Sequence, residues 1–376
     1  MENFIYKNHC EVIFGEQPES EIAKAVKHNG ARHVLLVYGS ERMKKDGSIK
    51  KITDEIAKFK IRVTEFGGVV ANPLLSHAKC GVELARKSKV DFVLAVGGGS
   101  VIDAAKFIAV GASNGQDAEK IYKQGIQGYT ILPVGTVLTL PAAGSECSRF
   151  SVIRDDATGI KYDSGCDDMR PKFAYINPRY CMSLPKEQIA YGTGDIFAHL
   201  LERYFSPNTD VVFTDRLLEG AMKAMLEIAP RLYKNSDSYQ LWAQFCHIGT
   251  LAHNGMLCMG RPVQDWGTHV IENKLLSGIH NIAHGLGLAI LFPGWLEYVK
   301  KSKPQKIKQF ESNVMTIGEL KKFFKGLGMA GSLHEINIDV KSVKVDADKI
   351  FAGDVKLGGY AELGKQDILN ILDMIK

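Results

Sequence analysis

The chain has 376 residues, of which 45% are hydrophobic and 24% are charged, and its formal net charge is +5. This is the composition of a soluble globular protein that is long enough for two domains. No apolar run approaches the roughly 20 residues of a membrane span, and the first residues lack the pattern of a signal peptide. We therefore expect a cytoplasmic protein without a membrane partner. The lysine clusters lack interleaved aromatic residues, which indicates a solvated basic face rather than a nucleic-acid site.

Seven cysteines are spread along the chain without a CxxC pair. Their odd number and their spacing indicate neither a disulfide framework nor a cysteine zinc site. We expect reduced thiols, several of which pack in the interior.

The N-terminal half alternates short apolar segments with amphipathic ones. This alternation predicts a mainly parallel sheet that is covered by helices on both faces. The predicted buried strands are 34–38, 62–66, 92–96 and 130–134, and the predicted helices between them are 19–28, 48–59 and 74–87.

The character of the sequence changes near Leu184, after which there is little strand signal. The predicted helices are 186–204, 214–232, 238–257, 266–275 and 283–299. We therefore divide the chain into an α/β domain, 1–184, and an all-helical domain, 185–376. A ligand is expected in the cleft between the two domains.

Asp195 and His199 are four residues apart in a predicted helix, and His269 and His284 follow far downstream. Residues four apart share a helix face, so Asp195 and His199 can offer an oxygen and a nitrogen to one divalent cation. One carboxylate with up to three imidazoles suits Fe(II) or Zn(II). Such pairs also occur on solvated helix faces, so the pair alone does not establish a metal site.

A predicted strand runs into three glycines, Gly97, Gly98 and Gly99, which are followed by Ser100 and a predicted helix. Backbone N–H groups in such a turn can approach a pyrophosphate, with the positive end of the helix directed at it. The alternative is a tight strand-to-helix turn without a ligand. Three consecutive glycines favour the binding turn.

An earlier turn follows the predicted strand 34–38. Dinucleotide-binding folds place an acidic residue at the end of such a strand, where it binds the ribose 2′-OH. Position 39 is Gly, and Ser40 and Arg42 can donate to a 2′-phosphate, which favours NADP(H), with NAD(H) as the alternative. The acidic residue Glu41 weakens the interpretation as an NADP(H) site. The basic residues are also compatible with a solvated helix start.

Taken in order, these motifs resemble the iron-containing (group III) alcohol dehydrogenases, and within them the NADPH-dependent butanol dehydrogenase and aldehyde reductase branch. The resemblance runs from about residue 5 to residue 300, and more loosely to the C-terminus. The segments that carry it are 97–100, 137–146, Asp195 with His199, 264–269 and 284–290.

The resemblance implies a Rossmann-like N-terminal domain and a helical C-terminal domain, as in dehydroquinate synthase-like two-domain proteins, with metal and nicotinamide meeting in the cleft. The implied metal ligands are Asp195, His199, His269 and His284. The residues implied to cradle the pyrophosphate are Gly97, Gly98, Gly99 and Ser100. The other positions implied to lie near the cofactor are Asp103, Thr136, Thr139, Ser145, Lys161 and Leu184.

Two positions depart from the family pattern. The family usually has a further histidine four residues after its third ligand, where this chain has Asn273, and the interval from His269 to His284 is one residue longer than usual. His280 is therefore a competing ligand, although we favour His269 because residues 265–269 match the family context. We predict that the substrate proton arrives through water, with His280 or the cofactor ribose as the relay.

These parts predict hydride transfer between NADP(H) and a small alcohol or aldehyde, with the metal as a Lewis acid. A dehydroquinate synthase-type lyase is one alternative, but the segments around the metal motifs are mostly apolar rather than basic. A nucleotide-binding protein that has lost catalysis is another. Pairing of the first strands, 4–6 and 11–14, across a twofold axis predicts a homodimer.

Overall fold

A computed structural model describes residues 1–39, 41–115, 117–208 and 210–376. Ser40, a predicted cofactor-binding residue, lies outside the described residues. The described chain forms two compact units. One is Lys7–Ser183, the α/β unit, and the other is Met1–Tyr6 together with Leu184–Lys376, the helical unit. The sequence analysis did not anticipate that the first six residues belong with the helical unit.

The α/β unit is built on a parallel sheet. The strands are β1 (Glu11–Phe14), β2 (His33–Tyr38), β3 (Arg62–Phe66), β4 (Phe92–Gly98), β5 (Val134–Leu140), β6 (Phe150–Arg154), β7 (Lys161–Gly165) and β8 (Phe173–Ile176). Among the described residues, six of them pair in parallel in the order β1-β8-β5-β4-β2-β3, while β6 and β7 form an antiparallel hairpin. The alternation of strands and helices predicted from the sequence is thus confirmed.

Six helices of the described chain belong to the α/β unit. They are α1 (Ser20–His28), α2 (Arg42–Lys45), α3 (Ser48–Ala57), α4 (Leu75–Ser88), α5 (Gly99–Ser113) and α6 (Ala118–Gln124). Short 3-10 turns follow at Asp167–Met169 and Pro178–Cys181. In α3, Ile49, Ile52 and Ile56 recur at helical spacing, and all three are buried in the core that β2 and β4 share.

Three strand predictions need correction. The segment 4–6 forms no strand, and it belongs to the helical unit rather than to the sheet. The segment 62–66 forms β3 but is not buried, because it lies at the edge of the sheet and only one neighbour covers it. The segment 130–134 was predicted as a strand from its apolar residues, whereas β5 begins only at Val134, opposite Val93. Pro133 has no N–H to give to a ladder, so pairing starts after it.

The helical unit contains the remaining helices. They are α7 (Lys186–Tyr204), α8 (Val212–Lys234), α9 (Tyr239–His253), α10 (Gly267–Ile271), α11 (His284–Val299), α12 (Pro304–Asn313), α13 (Ile317–Gly326), α14 (Val340–Ile350) and α15 (Lys365–Met374). Short 3-10 turns lie at Met256–Cys258 and His334–Ile336, and a π-helix, Glu272–Ile279, continues α10. No helix in the described ranges is both long enough and apolar enough to span a bilayer.

Candidate metal centre and cofactor-binding turn

Helices α7 and α11 approach each other backbone to backbone. A Cβ at Gly285 would lie 1.9 Å from the carbonyl oxygen of Tyr191, and a Cβ at Gly194 would lie 2.4 Å from that of Gly285. Only glycine permits such an approach. Asp195 directly follows Gly194, and His284 directly precedes Gly285. As a result, His284 Nε2 lies 3.7 Å from Asp195 Oδ1. The glycines thus bring together two predicted ligands that are 89 positions apart in the sequence.

The four predicted metal ligands gather within the helical unit. Ligand atoms of Asp195, His199 and His269 all lie within 4.8 Å of one another, and all three residues are buried. The ring centroids of His199 and His269 are 4.6 Å apart, and those of His269 and His284 are 5.5 Å apart. The long spacing along the chain is therefore closed by the packing of α7, α10 and α11.

Two atoms of this cluster indicate that a ligand completes it. Asp195 Oδ1 and His269 Nε2 are buried, and neither makes a full hydrogen bond with a residue in the described ranges, although Oδ1 lies 3.0 Å from His199 Nδ1. A buried polar atom without a partner costs about 1–3 kcal/mol, and a bound cation would satisfy both atoms at once. One carboxylate with three imidazoles suits Fe(II) or Zn(II). The residues present therefore fit a metal ion.

The charges in the cluster favour the forms that bind a cation. Burial alone would raise the pKa of Asp195. The neighbouring His199 and His284 lower it by more than burial raises it, so the pKa of Asp195 lies below its ordinary value. Burial, reinforced by the same two histidines, holds the pKa of His269 well below its usual range. At neutral pH a carboxylate therefore faces a neutral imidazole, which is the form that ligates metals.

Two buried glutamates that the sequence analysis missed contact the ligand histidines. Glu202 Oε1 accepts a hydrogen bond from His269 Nδ1 (2.8 Å), and Glu272 Oε2 accepts one from His284 Nδ1. The third ring, His199, donates from Nδ1 to the carbonyl oxygen of Asp195 (2.9 Å). In all three rings Nδ1 is thus engaged by an oxygen of the protein, and Nε2 is the nitrogen that remains for a cation.

The turn before His269 is held by two buried carboxylates. Trp266 has a φ of +61°, a left-handed conformation that costs an aromatic residue about 1–3 kcal/mol. Its N–H donates to Glu202 Oε2 (2.6 Å), and the side chain of Asp265 accepts three further backbone N–H groups. Burial raises the pKa of Glu202 to about 8 and that of Asp265 to about 7. The strained turn thus depends on carboxylates in a water-poor interior.

Two further histidines belong to the helical unit. The ring of His253 lies 4.4 Å from that of His199, centroid to centroid. His280 Nε2 lies 3.3 Å from a carboxylate oxygen of Asp346 on α14. Its role as a proton relay stays a prediction.

The interval between His269 and His284 contains a regular element, the π-helix Glu272–Ile279. π-Helical turns are rare and occur frequently at functional sites. The longer interval is therefore compatible with His269 and His284 sharing one cluster.

In the α/β unit, β4 turns into α5 through the predicted glycines. A Cβ at Gly97 would lie 2.4 Å from a methyl of Val101, one at Gly98 2.9 Å from Leu140, and one at Gly99 3.1 Å from Ala143. The turn therefore has no room for side chains. The first turn of α5 presents backbone N–H groups at this point, and Ser100 lies within it, an arrangement that suits a pyrophosphate.

Two more predicted cofactor residues lie at the same end of the sheet. Gly39 follows β2, and a Cβ there would lie 3.1 Å from the methyl of Val101 that also faces Gly97. The register of β4 against β5 shifts at Gly97 and Gly98, which leaves Thr139 as the extra residue opposite that step. The carboxyl ends of β2, β4 and β5 thus assemble around the glycine turn.

A buried polar network joins α5 to the β6–β7 hairpin. Lys106 Nζ donates to four oxygens at 2.8–2.9 Å, two of them from Ser145. The Ser145 hydroxyl donates to Asp103 (2.6 Å), and Lys161 is close enough to Asp103 to lower the pKa of its carboxyl. Burial has a larger effect on both groups than these neighbouring charges do. It raises the pKa of Asp103 and lowers the pKa of Lys106 to about 8.

The remaining predicted cofactor residues have other surroundings. Thr136 is fully buried in β5, and its hydroxyl donates to the carbonyl oxygen of Phe173 (3.2 Å). Arg42 donates to the carbonyl oxygen of Tyr180 (3.2 Å). Leu184 is partly exposed and begins the second segment of the helical unit. Contact of these residues with a cofactor stays a prediction.

Comparison with known proteins covers both units. Residues 10–178 match the family model described as iron-containing alcohol dehydrogenase, and residues 189–375 match that of the Fe-containing alcohol dehydrogenase family, C-terminal. The chain is 36% identical to the probable NADH-dependent butanol dehydrogenase 1 of Bacillus subtilis over 99% of each chain. It is 32% identical to the NADPH-dependent aldehyde reductase YqhD of Escherichia coli over 91% of each.

A solved structure is similar over the same extent. The crystal structure of NADH-dependent butanol dehydrogenase A from Thermotoga maritima matches with a TM-score of 0.94 and 32% identity, covering 100% of this chain and 99% of that one. Both family models and these full-length relatives agree with the resemblance carried by the glycine turn and the Asp-His motif. The chain therefore belongs to the iron-containing alcohol dehydrogenase family.

Proposed function

We propose that this chain is a metal-dependent alcohol dehydrogenase or aldehyde reductase that transfers a hydride between NADP(H) and a small alcohol or aldehyde. The observation that carries the proposal is the buried cluster of Asp195, His199 and His269, whose converging ligand atoms lie within 4.8 Å of one another and fit a cation. The named activities of the relatives, butanol dehydrogenases and an aldehyde reductase, support the same reaction class.

The metal would be held by Asp195, His199, His269 and His284. Iron is the metal for which the family is named, and Zn(II) is the alternative that the same donor set accepts. When bound, the cation supplies a Lewis acid that stabilises negative charge on the substrate oxygen. The histidine rings are oriented by Asp195, Glu202 and Glu272, so the protein needs little reorganisation to hold the cation.

The nicotinamide cofactor would bind to the α/β unit, with its pyrophosphate on Gly97, Gly98, Gly99 and Ser100. When bound, the cofactor would supply the hydride chemistry. The turn leaves no space for side chains, so the pyrophosphate can lie against backbone N–H groups.

NADP(H) is the preferred cofactor in this proposal. Gly39 follows β2 at the position where an acidic residue would bind the ribose 2′-OH. The relatives carry names of both kinds, NADH-dependent and NADPH-dependent, and do not decide the preference. Ser40 and Arg42 are the proposed donors to the 2′-phosphate.

Reduction of an aldehyde also requires a proton. Asn273 occupies the position of the usual histidine, so we propose that water delivers the proton, with His280 or the cofactor ribose as the relay. His280 Nε2 lies 3.3 Å from a carboxylate oxygen of Asp346, a polar neighbour beside the proposed relay.

We also propose a cytoplasmic location. The cysteines are free thiols throughout the described chain, which suits a reducing compartment such as the cytoplasm.

The proposed oligomer is a homodimer. Strand β1 lies at one edge of the sheet, where Val12 is 45% exposed, and pairing of this edge across a twofold axis would give a homodimer. Light scattering coupled to size-exclusion chromatography would measure the oligomer.

The deciding experiment is NADPH oxidation with butanal by metal-stripped protein, with and without Fe(II) or Zn(II), and with NADH in parallel. We expect turnover that depends on added metal and is faster with NADPH. Faster turnover with NADH would overturn only the 2′-phosphate assignment. Metal binding without turnover with either cofactor would contradict the dehydrogenase and favour the lyase or the inactive binder, neither of which the comparisons favour.

A further inference from the structure

Glu202 and Glu272 are buried carboxylates with unusual partners. Both are fully buried, and in the described ranges the ion-pair partner of each is a ligand histidine rather than a lysine or arginine. Asp215 in the same unit is different, because it pairs with Arg261 and Lys306. A buried carboxylate without a cationic partner is costly. These two glutamates are therefore expected to serve the adjacent cation site.

We propose that Glu202 and Glu272 are positioning residues that hold His269 and His284 with Nε2 ready to bind the cation, and that the π-helix holds Glu272 in turn. The inference rests on the proposed function, since it takes the two histidines as metal ligands. Burial opposes ionisation of Glu202, but a cation bound at the histidines favours the carboxylate form. A carboxylate that accepts the Nδ1 proton fixes the tautomer and the ring orientation, and it makes Nε2 a stronger electron donor.

Glu202 is immobilised on both of its oxygens. Oε1 accepts the backbone N–H of His269 (3.0 Å) as well as its Nδ1 (2.8 Å), and Oε2 accepts the N–H of Trp266 (2.6 Å). The carboxylate thus holds both the turn that leads into α10 and the imidazole that α10 carries. Glu202 lies three residues after His199 on α7, so the same helix supplies one ligand and the support of another.

Glu272 is held by the π-helix that it begins. The hydroxyl of Ser277 donates to Glu272 Oε2 (2.8 Å), the oxygen that also accepts from His284 Nδ1. Residues five apart are on the same side of a π-helix, whose hydrogen bonds run from i to i+5, but are roughly 140° apart around an α-helix. The π-helical winding is therefore what places Ser277 beside Glu272.

The opposite oxygen of Glu272 is accommodated by a glycine. A Cβ at Gly287 would lie 2.5 Å from Glu272 Oε1. Any larger residue in this turn of α11 would displace the carboxylate from His284. The sequence of α11 thus provides both the ligand, His284, and the space for its supporting group.

The test is Co(II) binding by the metal-free, full-length protein, followed by the visible absorption of the bound ion and by competition with a chelator. Co(II) reports both the affinity and the ligand geometry, so the measurement does not depend on catalysis. We expect Glu202→Gln and Glu272→Leu to bind Co(II) about 10–100-fold more weakly than the unchanged protein, with altered absorption bands.

Graded and matched variants separate positioning from general damage. Glu272→Gln keeps an acceptor for His284 and should bind more tightly than Glu272→Leu, while Ser277→Ala should lose less than either. Glu219→Gln removes another buried carboxylate of the helical unit, one that contacts Tyr204 and Arg216. This control should lower the melting temperature without changing the Co(II) affinity.

The outcomes distinguish the inference from the function on which it rests. If the unchanged protein does not bind Co(II), or if Asp195→Ala binds it equally well, the proposed metal site is wrong. If Asp195→Ala abolishes binding while the Glu202 and Glu272 variants bind with unchanged affinity and spectrum, the positioning role is wrong. Melting curves identify any variant that does not fold, and the remaining glutamate variants then decide the result.

Discussion

Each unit contains a buried polar network, and the two networks differ in whether the protein itself completes them. In the α/β unit, the amine of Lys106 is surrounded by four oxygen acceptors, and Asp103 is held by Ser145 and a backbone N–H. In the helical unit, Asp195 and His269 each keep a buried atom without a hydrogen-bond partner among the described residues. A closed network stabilises the fold, whereas a network left open indicates where a ligand completes it.

The largest effect should come from the open cluster. Asp195→Ala removes the anionic ligand, and we expect it to abolish metal binding and to lower kcat/KM by about three orders of magnitude, because Lewis-acid stabilisation contributes several kcal/mol. Metal analysis of the purified variant and steady-state kinetics would measure both. Asp339→Asn, at the exposed start of α14, is the control. If Asp195→Ala retained the metal, the cluster at Asp195 would not be the metal site, and its contrast with the network around Lys106 would have no functional meaning.

The closed network should matter for stability instead. Lys106→Met leaves the oxygens of Ser145, Ser148 and Phe150 without their buried donor, and a buried polar group left unsatisfied costs about 1–3 kcal/mol. Urea unfolding should show that loss, with Co(II) affinity unchanged. Lys50→Met, which removes an exposed pair with Asp54, should cost at most about 0.5 kcal/mol. A comparable loss in both variants would mean that the network around Lys106 is not special.

A smaller and more selective effect is expected at the glycine turn. Gly98→Ala places a Cβ 2.9 Å from Leu140 and should weaken NADPH binding about tenfold, because one backbone approach to the pyrophosphate is displaced. The enhanced fluorescence of bound NADPH would give the dissociation constant. Co(II) affinity should not change. Equal weakening of NADPH and Co(II) binding would show that the substitution damages the protein generally rather than the glycine turn alone.

The smallest effect is expected at His280. If this residue relays a proton together with water, His280→Ala should lower kcat by about tenfold or less, below the usual range for a sole general acid, and should alter the pH dependence of kcat. Asp346→Asn removes its neighbour and should alter the same profile in the same direction. An unchanged profile in His280→Ala would leave the cofactor ribose or bulk water as the proton source.

Much of the fold was readable because local and tertiary preferences agree. Helix α7 occupies the predicted residues 186–204, and the central strands β2 and β4 lie where apolar runs predict them. The hairpin of β6 and β7 was missed because Lys161–Gly165 is mostly polar and lacks an apolar alternation. The π-helix was missed because sequence periodicity was tested only against α-helical and strand spacing.

Some of the site residues could likewise be predicted from the sequence, and others could not. The glycine turn is one continuous segment, so its motif is visible in the sequence, and the metal ligands could be listed from a family pattern. The supporting role of Glu202 depends on His269, which is 67 positions away, and only packing reveals it. A weak signal did exist, since Glu202 and Glu272 each follow a ligand histidine by three residues.

The assignment of Met1–Tyr6 to the helical unit has a consequence for biosynthesis. The backbone N–H of Glu2 donates to the carbonyl oxygen of Gly260 (3.3 Å), within that unit. The α/β unit is therefore an insertion within a discontinuous unit, one part of which precedes it in the chain while the other follows it. Since domains generally fold as they emerge from the ribosome, the α/β unit can complete its fold while residues 1–6 still await their partners. The cation site, whose proposed ligands lie between residues 195 and 284, would then form after the α/β unit.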